Sequence, residues 1–172
     1  SYAYWYLFNF DPNFDAEYEP ENWKLAVNNE NFRKSVVHAF NRMPALATSD
    51  RIDPESLKNN TITPNAFASA SKDYTYYEGL AAYTDGDNFD EALAAEYKAA
   101  AMDELTAAGA TFPVKMLMCY NPTSANWAQE CQVVEQQIET VLGADYVDII
   151  IQAGPETGFL GAIRRSRMPS GL

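Results

Sequence analysis

The chain is poor in the residues that carry most enzyme chemistry. It contains one histidine and two cysteines in 172 residues. One histidine excludes a metal site built from several histidines. The patterns G-x-S-x-G, G-x-x-x-x-G-K-[ST] and H-E-x-x-H do not occur, which removes the usual signs of a hydrolase serine, a phosphate-binding loop and a zinc protease helix. We therefore expect no cofactor and no enzymatic activity.

Basic residues and long apolar runs are also scarce. The chain has 12 basic against 24 acidic residues, for a net charge of -12. Such a charge repels nucleic acid and anionic lipid and favours solubility. No apolar run approaches the roughly 20 residues that span a bilayer, although 47% of the residues are hydrophobic and 13% are aromatic. We expect a globular segment with no nucleic-acid partner and no membrane insertion of its own.

Cysteine is too sparse for a disulfide framework. Cys119 and Cys131 lack the C-x-x-C spacing of zinc and redox sites. Cys119 ends an apolar strand-like run, and Cys131 falls in the helical pattern that follows it. Three interpretations stay open for this pair: ordinary buried thiols, a disulfide, or a chemical role.

Strand-like and helix-like patterns alternate along the chain. Residues 11–28 form a polar, acidic stretch, and residues 49–71 form a loop that two prolines interrupt. The predicted strands cover 3–10, 113–120 and 146–151, and the predicted helices cover 31–42, a short piece from Met43-Pro44, 87–108, 125–142 and 156–167.

This order predicts an α/β fold, with a layered parallel or mixed sheet flanked by helices and joined by right-handed crossovers. The length suits a single domain over residues 1–172. The last helix normally delivers a further strand, which the sequence does not contain. We therefore expect the chain to be a segment of a larger protein.

A catalytic interpretation finds little support in this pattern. His38 lies in the first predicted helix among apolar neighbours, where a packed or surface histidine is the common case. Asp11, Asn121 and Gln152 lie nearest the carboxyl ends of the predicted strands, where such folds bind ligands, but they make a poor catalytic set. A small α/β enzyme is thus a weak alternative.

Aspartates precede the longest predicted helix. Asp85, Asp87 and Asp90 stand in the sequence DGDNFD, which has a superficial likeness to a calcium loop. No bidentate acid follows at the spacing that calcium requires, whereas aspartate and asparagine are preferred helix caps. Capping is the favoured interpretation, with Gly109 as the stop at the other end of the helix.

A group of tyrosines lies in the loop region before those aspartates. These residues can line a ligand surface or pack the loop onto the fold, and the sequence does not decide between the two. The group consists of Tyr74, Tyr76, Tyr77 and Tyr83.

A resemblance to a known family begins at residues 29–42. The sequence there is NENFRKSVVHAFNR, which resembles the signature helix of the solute-binding proteins of oligopeptide and dipeptide ABC transporters (solute-binding protein family 5). The later elements follow in the family's order: a Lys-Ala helix ending in Ala-Gly at 96–109, a strand at 114–120, the pattern VEQQI at 134–138, a strand at 147–151, and Phe159-Leu160. The resemblance covers nearly the whole chain.

The sequence departs from this family at three places. Ser35 replaces an alanine, Asn41 replaces an aspartate, and residues 11–28 form a longer stretch than is usual. These departures leave the subgroup open.

The resemblance implies one lobe of a type II periplasmic-binding-protein-like fold. Residues 1–172 would form most of the second lobe of a larger two-lobed protein, truncated at the C-terminal end. The family's strand with Gly-Trp and an acidic residue, which clamps the peptide's amino terminus, would begin beyond Leu172. The lobes of such proteins close on a ligand by hinge motion.

The implied function is binding of an oligopeptide or dipeptide and its delivery to an ABC transporter permease. The implied location is extracytoplasmic, at the cell surface or in the periplasm, with the parent protein lipid-anchored. Arg164 and Arg165 lie about where the family places a basic residue toward a ligand carboxylate, and arginine suits such bidentate pairing. Ordinary surface arginines are the alternative. A stand-alone surface interaction domain is the alternative for the whole chain.

Overall fold

The computed structural model describes residues 6–60, 69–71, 74–75 and 86–164. Two short 3-10 turns, Ala16–Tyr18 and Pro54–Leu57, accompany the regular elements. In chain order those elements are α1 (Pro20–Asn28), α2 (Glu30–Ala39), α3 (Met43–Leu46), β1 (Ser69–Ser71), β2 (Tyr74–Thr75), α4 (Glu91–Ala107), β3 (Val114–Tyr120), α5 (Trp127–Leu142), β4 (Val147–Ala153) and α6 (Phe159–Arg164).

The central feature of the fold is the parallel pair β3 and β4. Their register runs from Val114 opposite Val147 to Tyr120 opposite Ala153. Helix α5 joins the two strands and packs on β4. The short strands β1 and β2 pair antiparallel in a separate sheet. These observations confirm the predicted α/β class, with parallel neighbours flanked by helices.

The core lies between this sheet and the helices. Helix α2 packs against α4, and both α1 and α2 contribute fully buried side chains. Trp23 packs edge-to-face on Phe32, with ring centroids 6.0 Å apart. The largest fully buried residues are Trp23, Tyr146, Phe32, Met116, Leu117, Met118, Ile138, Leu142, Ile149, Val27, Val114 and Val134.

The helix ends follow the capping signals of the sequence. Asn29 Oδ1 accepts a hydrogen bond from the Phe32 backbone N–H at 2.8 Å, and Asp90 Oδ1 accepts one from Leu93 N–H at 3.0 Å. Gly109 and Gly143 follow α4 and α5 with φ of 87° and 91°, a conformation that glycine adopts without steric cost. The predicted cap at Asp90 and the stop at Gly109 are confirmed.

The predicted first strand is wrong for residues 6–10, which form no strand; residues 3–5 lie outside the described part of the chain. Tyr6 and Phe8 pack against the core, and the Asn9 carbonyl accepts a hydrogen bond from Trp23 Nε1 at 2.7 Å. Aromatic residues are common in strands because they pack well on a half-buried surface. Here they find that packing on helices, so the segment stays irregular.

The helix predicted for residues 31–42 ends earlier, at Ala39. Phe40 is extended, with φ −82° and ψ 103°. The Asn41 backbone N–H donates to Gln137 Oε1 at 3.1 Å, and its side chain accepts from Met43 N–H. These bonds replace the helical ones and start α3, which confirms the short helix predicted from Met43.

Other parts of the element assignment also differ from the prediction: the helix predicted from 125 begins at Trp127, and the strand predicted to end at 151 extends to Ala153. Residues 20–28, within the stretch left without an element, form α1, which Pro20 begins in the favoured first-turn position. The last helix begins at Phe159 and not at 156, directly after Gly158 with φ 72°. Residues 165–167 of that prediction lie outside the described chain.

Candidate functional site

The carboxyl ends of β3 and β4 carry a group of residues at the margin of the main core. Open α/β sheets bind ligands in the crevice at this edge. We call the group the carboxyl-edge cluster and define it as Cys119, Trp127, Gln152, Gly154 and Phe159.

The backbone sets the geometry of this cluster. Cys119 pairs with Gln152 in the β3–β4 register, so the two side chains share one face of the sheet. The Gly154 N–H donates to the Tyr120 carbonyl at 2.8 Å and closes the ladder at this end. A Cβ at Gly154 would lie 2.5 Å from the Phe159 ring and 3.3 Å from Cys119 Sγ. Only glycine lets that ring lie so close to the strand end.

The two aromatic rings of the cluster pack on each other. Phe159, the first residue of α6, is buried, and its ring meets the half-buried Trp127 edge-on with centroids 5.2 Å apart. Trp127 is the first residue of α5. The contact therefore ties the helix that follows β3 to the helix that follows β4. Aromatic pairs in this geometry contribute about 0.5–1.5 kcal/mol beyond their buried area.

Gln152 has a buried polar atom without a partner. Its Oε1 is shielded from solvent and accepts no hydrogen bond; it is the one buried side-chain oxygen or nitrogen in this situation within the described ranges. An unmade bond of this kind costs about 1–3 kcal/mol. Native structures rarely keep such an atom without a partner.

Both cysteines are buried free thiols. Burial raises the pKa of Cys119 to about 11 and that of Cys131 to about 12. Each thiol is therefore protonated at neutral pH and is a weak nucleophile. Of the three interpretations that the sequence left open, the structure supports ordinary buried thiols.

The amino-terminal segment is held against the start of α5. The Tyr6 hydroxyl donates to Glu130 Oε1 at 2.9 Å, and the Tyr6 ring packs edge-on against Phe40 at 5.8 Å. Burial, and then the charge of Glu130, raise the pKa of Tyr6 well above its ordinary value of 10. Tyr6 thus keeps its proton and anchors the chain beside the carboxyl edge.

Other residues considered for chemistry have structural partners. His38 Nδ1 lies 2.7 Å from the Asn88 carbonyl oxygen, and its ring stacks on Tyr97 at 5.5 Å. Asn121 Oδ1 accepts from the Thr123 N–H and hydroxyl, as in a turn before a helix. The Asp11 backbone N–H donates to Asn9 Oδ1 at 3.0 Å, and no described group donates to Gln152 Oε1.

Asp87 and Asp90, before α4, form local hydrogen bonds and an ion pair. Asp90 caps the helix, while Asp87 accepts from the Phe89 N–H at 3.0 Å and pairs with Lys58 Nζ at 3.1 Å. Asp85 lies outside the described residues. In the described part of the chain, no three His, Cys, Asp or Glu side chains meet in a way that could hold a metal ion.

The predicted ligand arginines and the tyrosine group lie at or beyond the limits of the described chain. Arg164 is the last residue of α6, and Arg165 is outside the described residues. Tyr74 is in β2, whereas Tyr76, Tyr77 and Tyr83 are not described. Their roles stay predictions.

The sequence places Gln152 near the strand ends but predicts no ligand role for it. Trp127 and Phe159 were not singled out as a pair. Their separation of 32 positions hides the contact, which depends on the parallel pairing of two strands. The signal that was present is the run of Gln152, Ala153 and Gly154 directly after an apolar strand.

No family model matches the chain. It is similar to the oligopeptide-binding protein AliB of Streptococcus pneumoniae, in both the serotype 4 strain TIGR4 and the strain R6. Each comparison gives 28% identity over 174 residues and covers 88% of this chain and 26% of the relative. The chain thus spans about a quarter of the length of the curated relatives it matches. Among the described residues, no helix is both long and apolar enough to cross a bilayer.

Proposed function

We propose that the chain forms most of one lobe of an extracytoplasmic oligopeptide-binding protein and provides one wall of its peptide site. The observation that carries this proposal is the similarity to a protein named for oligopeptide binding, which extends over 88% of the chain. A similarity of that extent covers most of the chain and not one motif.

The carboxyl-edge cluster supports the same proposal. It combines an aromatic pair with a single uncharged polar group, at the edge where such sheets bind ligands. Sites for organic ligands are typically apolar and contain a few placed polar groups. Among the described residues of the cluster, the Cys119 thiol is protonated at neutral pH because burial raises its pKa to about 11, so it is not an activated nucleophile. The arrangement suits binding without catalysis.

The wider role follows from the same proposal. The remaining lobe would close over the peptide by hinge motion, and the loaded protein would deliver it to an ABC transporter permease. The protein would act outside the cytoplasmic membrane, held there by a lipid anchor. Arg164 and Arg165, at the end of α6 and directly after it, would be available to a ligand carboxylate.

A binding experiment tests the function. The product of the complete reading frame is titrated by calorimetry with an equimolar mixture of tri- to hexapeptides, and with the same amino acids in free form as the control. We expect saturable binding of the peptides and none of the free amino acids. Equal heats from the two mixtures, or no heat from either mixture, contradict the proposal. Either result favours a surface interaction domain.

A variant then locates the site. Trp127→Leu removes the ring that covers the carboxyl edge and is expected to weaken peptide binding about tenfold, a change of about 1.4 kcal/mol. Leu57→Ala, in an exposed 3-10 turn, is the control and should leave the affinity unchanged. Equal affinities for both variants would place the peptide elsewhere.

A further inference from the structure

Strand β4 has one edge that faces away from β3. The Gly154 N–H, directly after β4, donates to the Tyr120 carbonyl of β3. Because the backbone groups of a strand alternate in direction from one residue to the next, the N–H groups of Ile149 and Ile151 point away from β3. We call this row of backbone groups the outer edge of β4. It belongs to Val147, Ile149, Ile151 and Ala153.

A glutamate of α5 occupies part of this outer edge. Glu139 Oε1 accepts a hydrogen bond from the Ile149 backbone N–H at 2.8 Å. The side chain thus takes the place that the carbonyl of a neighbouring strand has inside a sheet. In the described part of the chain, the next outward N–H, that of Ile151, has no hydrogen-bond partner. A further strand would have to displace Glu139 in order to pair with this edge.

Strand β4 lacks most of the features that keep an edge strand from pairing. Exposed edges are usually shortened, bulged, interrupted by proline or guarded by charge. β4 has seven residues and no proline, and its register with β3 runs without a bulge. Its centre is the apolar run Ile149-Ile150-Ile151. A charged side chain at the edge is the remaining safeguard, and Glu139 provides it.

The surroundings of Glu139 are acidic. Glu135 lies one turn earlier on α5, and burial, followed by the charges of Glu139 and Asp148, raises the pKa of Glu135 above its ordinary value of 4.5. None of the ion pairs in the described ranges includes Glu139. A strand that paired with the outer edge would remove these carboxyl groups from water, and a buried charge without a partner is costly.

We propose that Glu139 closes the outer edge of β4 and prevents it from pairing with the same edge of a second copy of the chain. Two identical edges can meet about a twofold axis, because one surface then serves both partners. Such pairing would bring the Glu139 side chains of both copies into the contact. The hydrogen bond to Ile149 is therefore an autoinhibitory contact against self-association, and it does not depend on the proposed function.

Hydrogen exchange tests this contact in the unmodified product of the complete reading frame. After correction for intrinsic rates, the Ile149 N–H should exchange about tenfold more slowly than the Ile151 N–H, because Glu139 accepts a hydrogen bond from the first and not from the second. Mass spectrometry of overlapping peptides separates the two amides. Equal exchange rates would overturn the inference.

Three variants test the consequence for self-association, which sedimentation velocity measures over a wide range of protein concentration. Glu139→Leu removes the acceptor and the charge and should produce dimers. Glu139→Gln keeps an acceptor for the Ile149 N–H and should associate about tenfold more weakly than the leucine variant. Glu135→Leu is the matched control, because Glu135 is half-buried on the same helix and forms no hydrogen bond to the edge. It should remain monomeric.

The dimer must form through β4 for the inference to hold. In Glu139→Leu, the Ile151 N–H should exchange about tenfold more slowly when the protein is concentrated, because pairing gives it an acceptor. A monomeric Glu139→Leu overturns the inference, as does a glutamine variant that associates as strongly as the leucine variant. Equal association of Glu135→Leu also overturns it, since the loss of any nearby charge would then suffice. If Glu139→Leu does not fold, the exchange rates of the unmodified protein decide.

Discussion

The two ends of the parallel sheet differ in how completely their polar groups are satisfied. At the amino end, the Val114 N–H donates to the Tyr146 carbonyl at 2.8 Å, and the Tyr146 hydroxyl lies 2.8 Å from Ser35 Oγ. Lys98 Nζ donates to the Leu142 carbonyl at 2.6 Å. At the carboxyl end, Gln152 Oε1 has no donor among the described residues.

Aromatic packing is also more complete at the amino end of the sheet than at the carboxyl end. Tyr146 is fully buried, stacked on Phe112 and tilted against Phe32, with both pairs of centroids 5.7 Å apart. Trp127, at the other end, is half-buried and contacts Phe159 from one side. The amino end is fully packed and its polar groups are paired, whereas the carboxyl end contains a half-buried ring and an unsatisfied oxygen. Binding sites commonly sacrifice stability in this way.

The largest expected change in stability comes from removing the Tyr146 side chain, which anchors the amino end of the sheet. Tyr146→Ala should lower the free energy of unfolding by about 3–5 kcal/mol, because a fully buried aromatic side chain leaves a cavity. Chemical denaturation measures the loss, with Ile52→Ala as the control, since Ile52 is 96% exposed. A loss below about 1 kcal/mol, within the range of ordinary surface changes, would mean that the amino end does not stabilise the fold.

The next test places a methyl group at the carboxyl end. Gly154→Ala would put its Cβ 2.5 Å from the Phe159 ring, and the displacement should cost about 2–3 kcal/mol. The ring also covers the proposed peptide site, so peptide affinity should fall with stability. Gly86→Ala is the matched control, because a Cβ there meets no atom within 4 Å. Equal melting temperatures for the two variants would show that α6 moves freely away from the sheet.

A smaller effect is expected from the hydroxyl pair of the amino end. Ser35→Ala leaves the buried Tyr146 hydroxyl without its partner and should cost about 1–2 kcal/mol. Burial raises the pKa of Tyr146 to about 12, so the hydroxyl keeps its proton and its need for a partner at neutral pH. Adding Tyr146→Phe should recover most of the loss.

A double-mutant cycle in chemical denaturation measures this coupling. We expect the two single changes to be non-additive by about 1 kcal/mol. Additive losses would mean that Ser35 and Tyr146 do not interact. The result bears on the sequence as well, because Ser35 stands where the resembled family has alanine.

The sequence predicted the sheet better than the segments around it. The continuous apolar run of β3 and the glycines after α4 and α5 mark those elements locally. Helix α1 was hidden because it lies in a polar, acidic stretch, although Trp23, Ala26 and Val27 recur at helical spacing and are all buried. The aromatic residues 6–10 suggested a strand because composition does not reveal whether a sheet or a helix provides the packing surface.

The sequence predicted where the candidate site lies but not the contacts that form it. Open α/β sheets bind ligands at their carboxyl edge, which pointed to the position of Gln152, but the close approach of Phe159 to Gly154 and its contact with Trp127 were not predicted. Those contacts arise when α5 and α6 fold back on the sheet. No spacing along the chain encodes them.

The smallest expected effect lies away from both ends, at Asp87 before α4. The hydrogen bond from the Phe89 N–H, and then the pair with Lys58, hold the pKa of Asp87 below its ordinary value of 3.8. A carboxylate with a lowered folded-state pKa stabilises the fold above its unfolded-state pKa. That contribution is lost as the pH falls from about 3.8 through the folded-state pKa. Asp87→Asn should therefore flatten the decline of the melting temperature in this window.

Lys58→Met distinguishes the two causes of this shift. The backbone hydrogen bond is the larger one, so the lysine variant should keep most of the pH dependence that Asp87→Asn removes. The Asp87 side chain is 44% exposed, and screening by solvent keeps the whole effect smaller than any change at the sheet. If Lys58→Met flattens the profile as much as Asp87→Asn, the ion pair dominates. In that case added salt should flatten the wild-type profile too, because an exposed pair is screened more strongly than a backbone hydrogen bond.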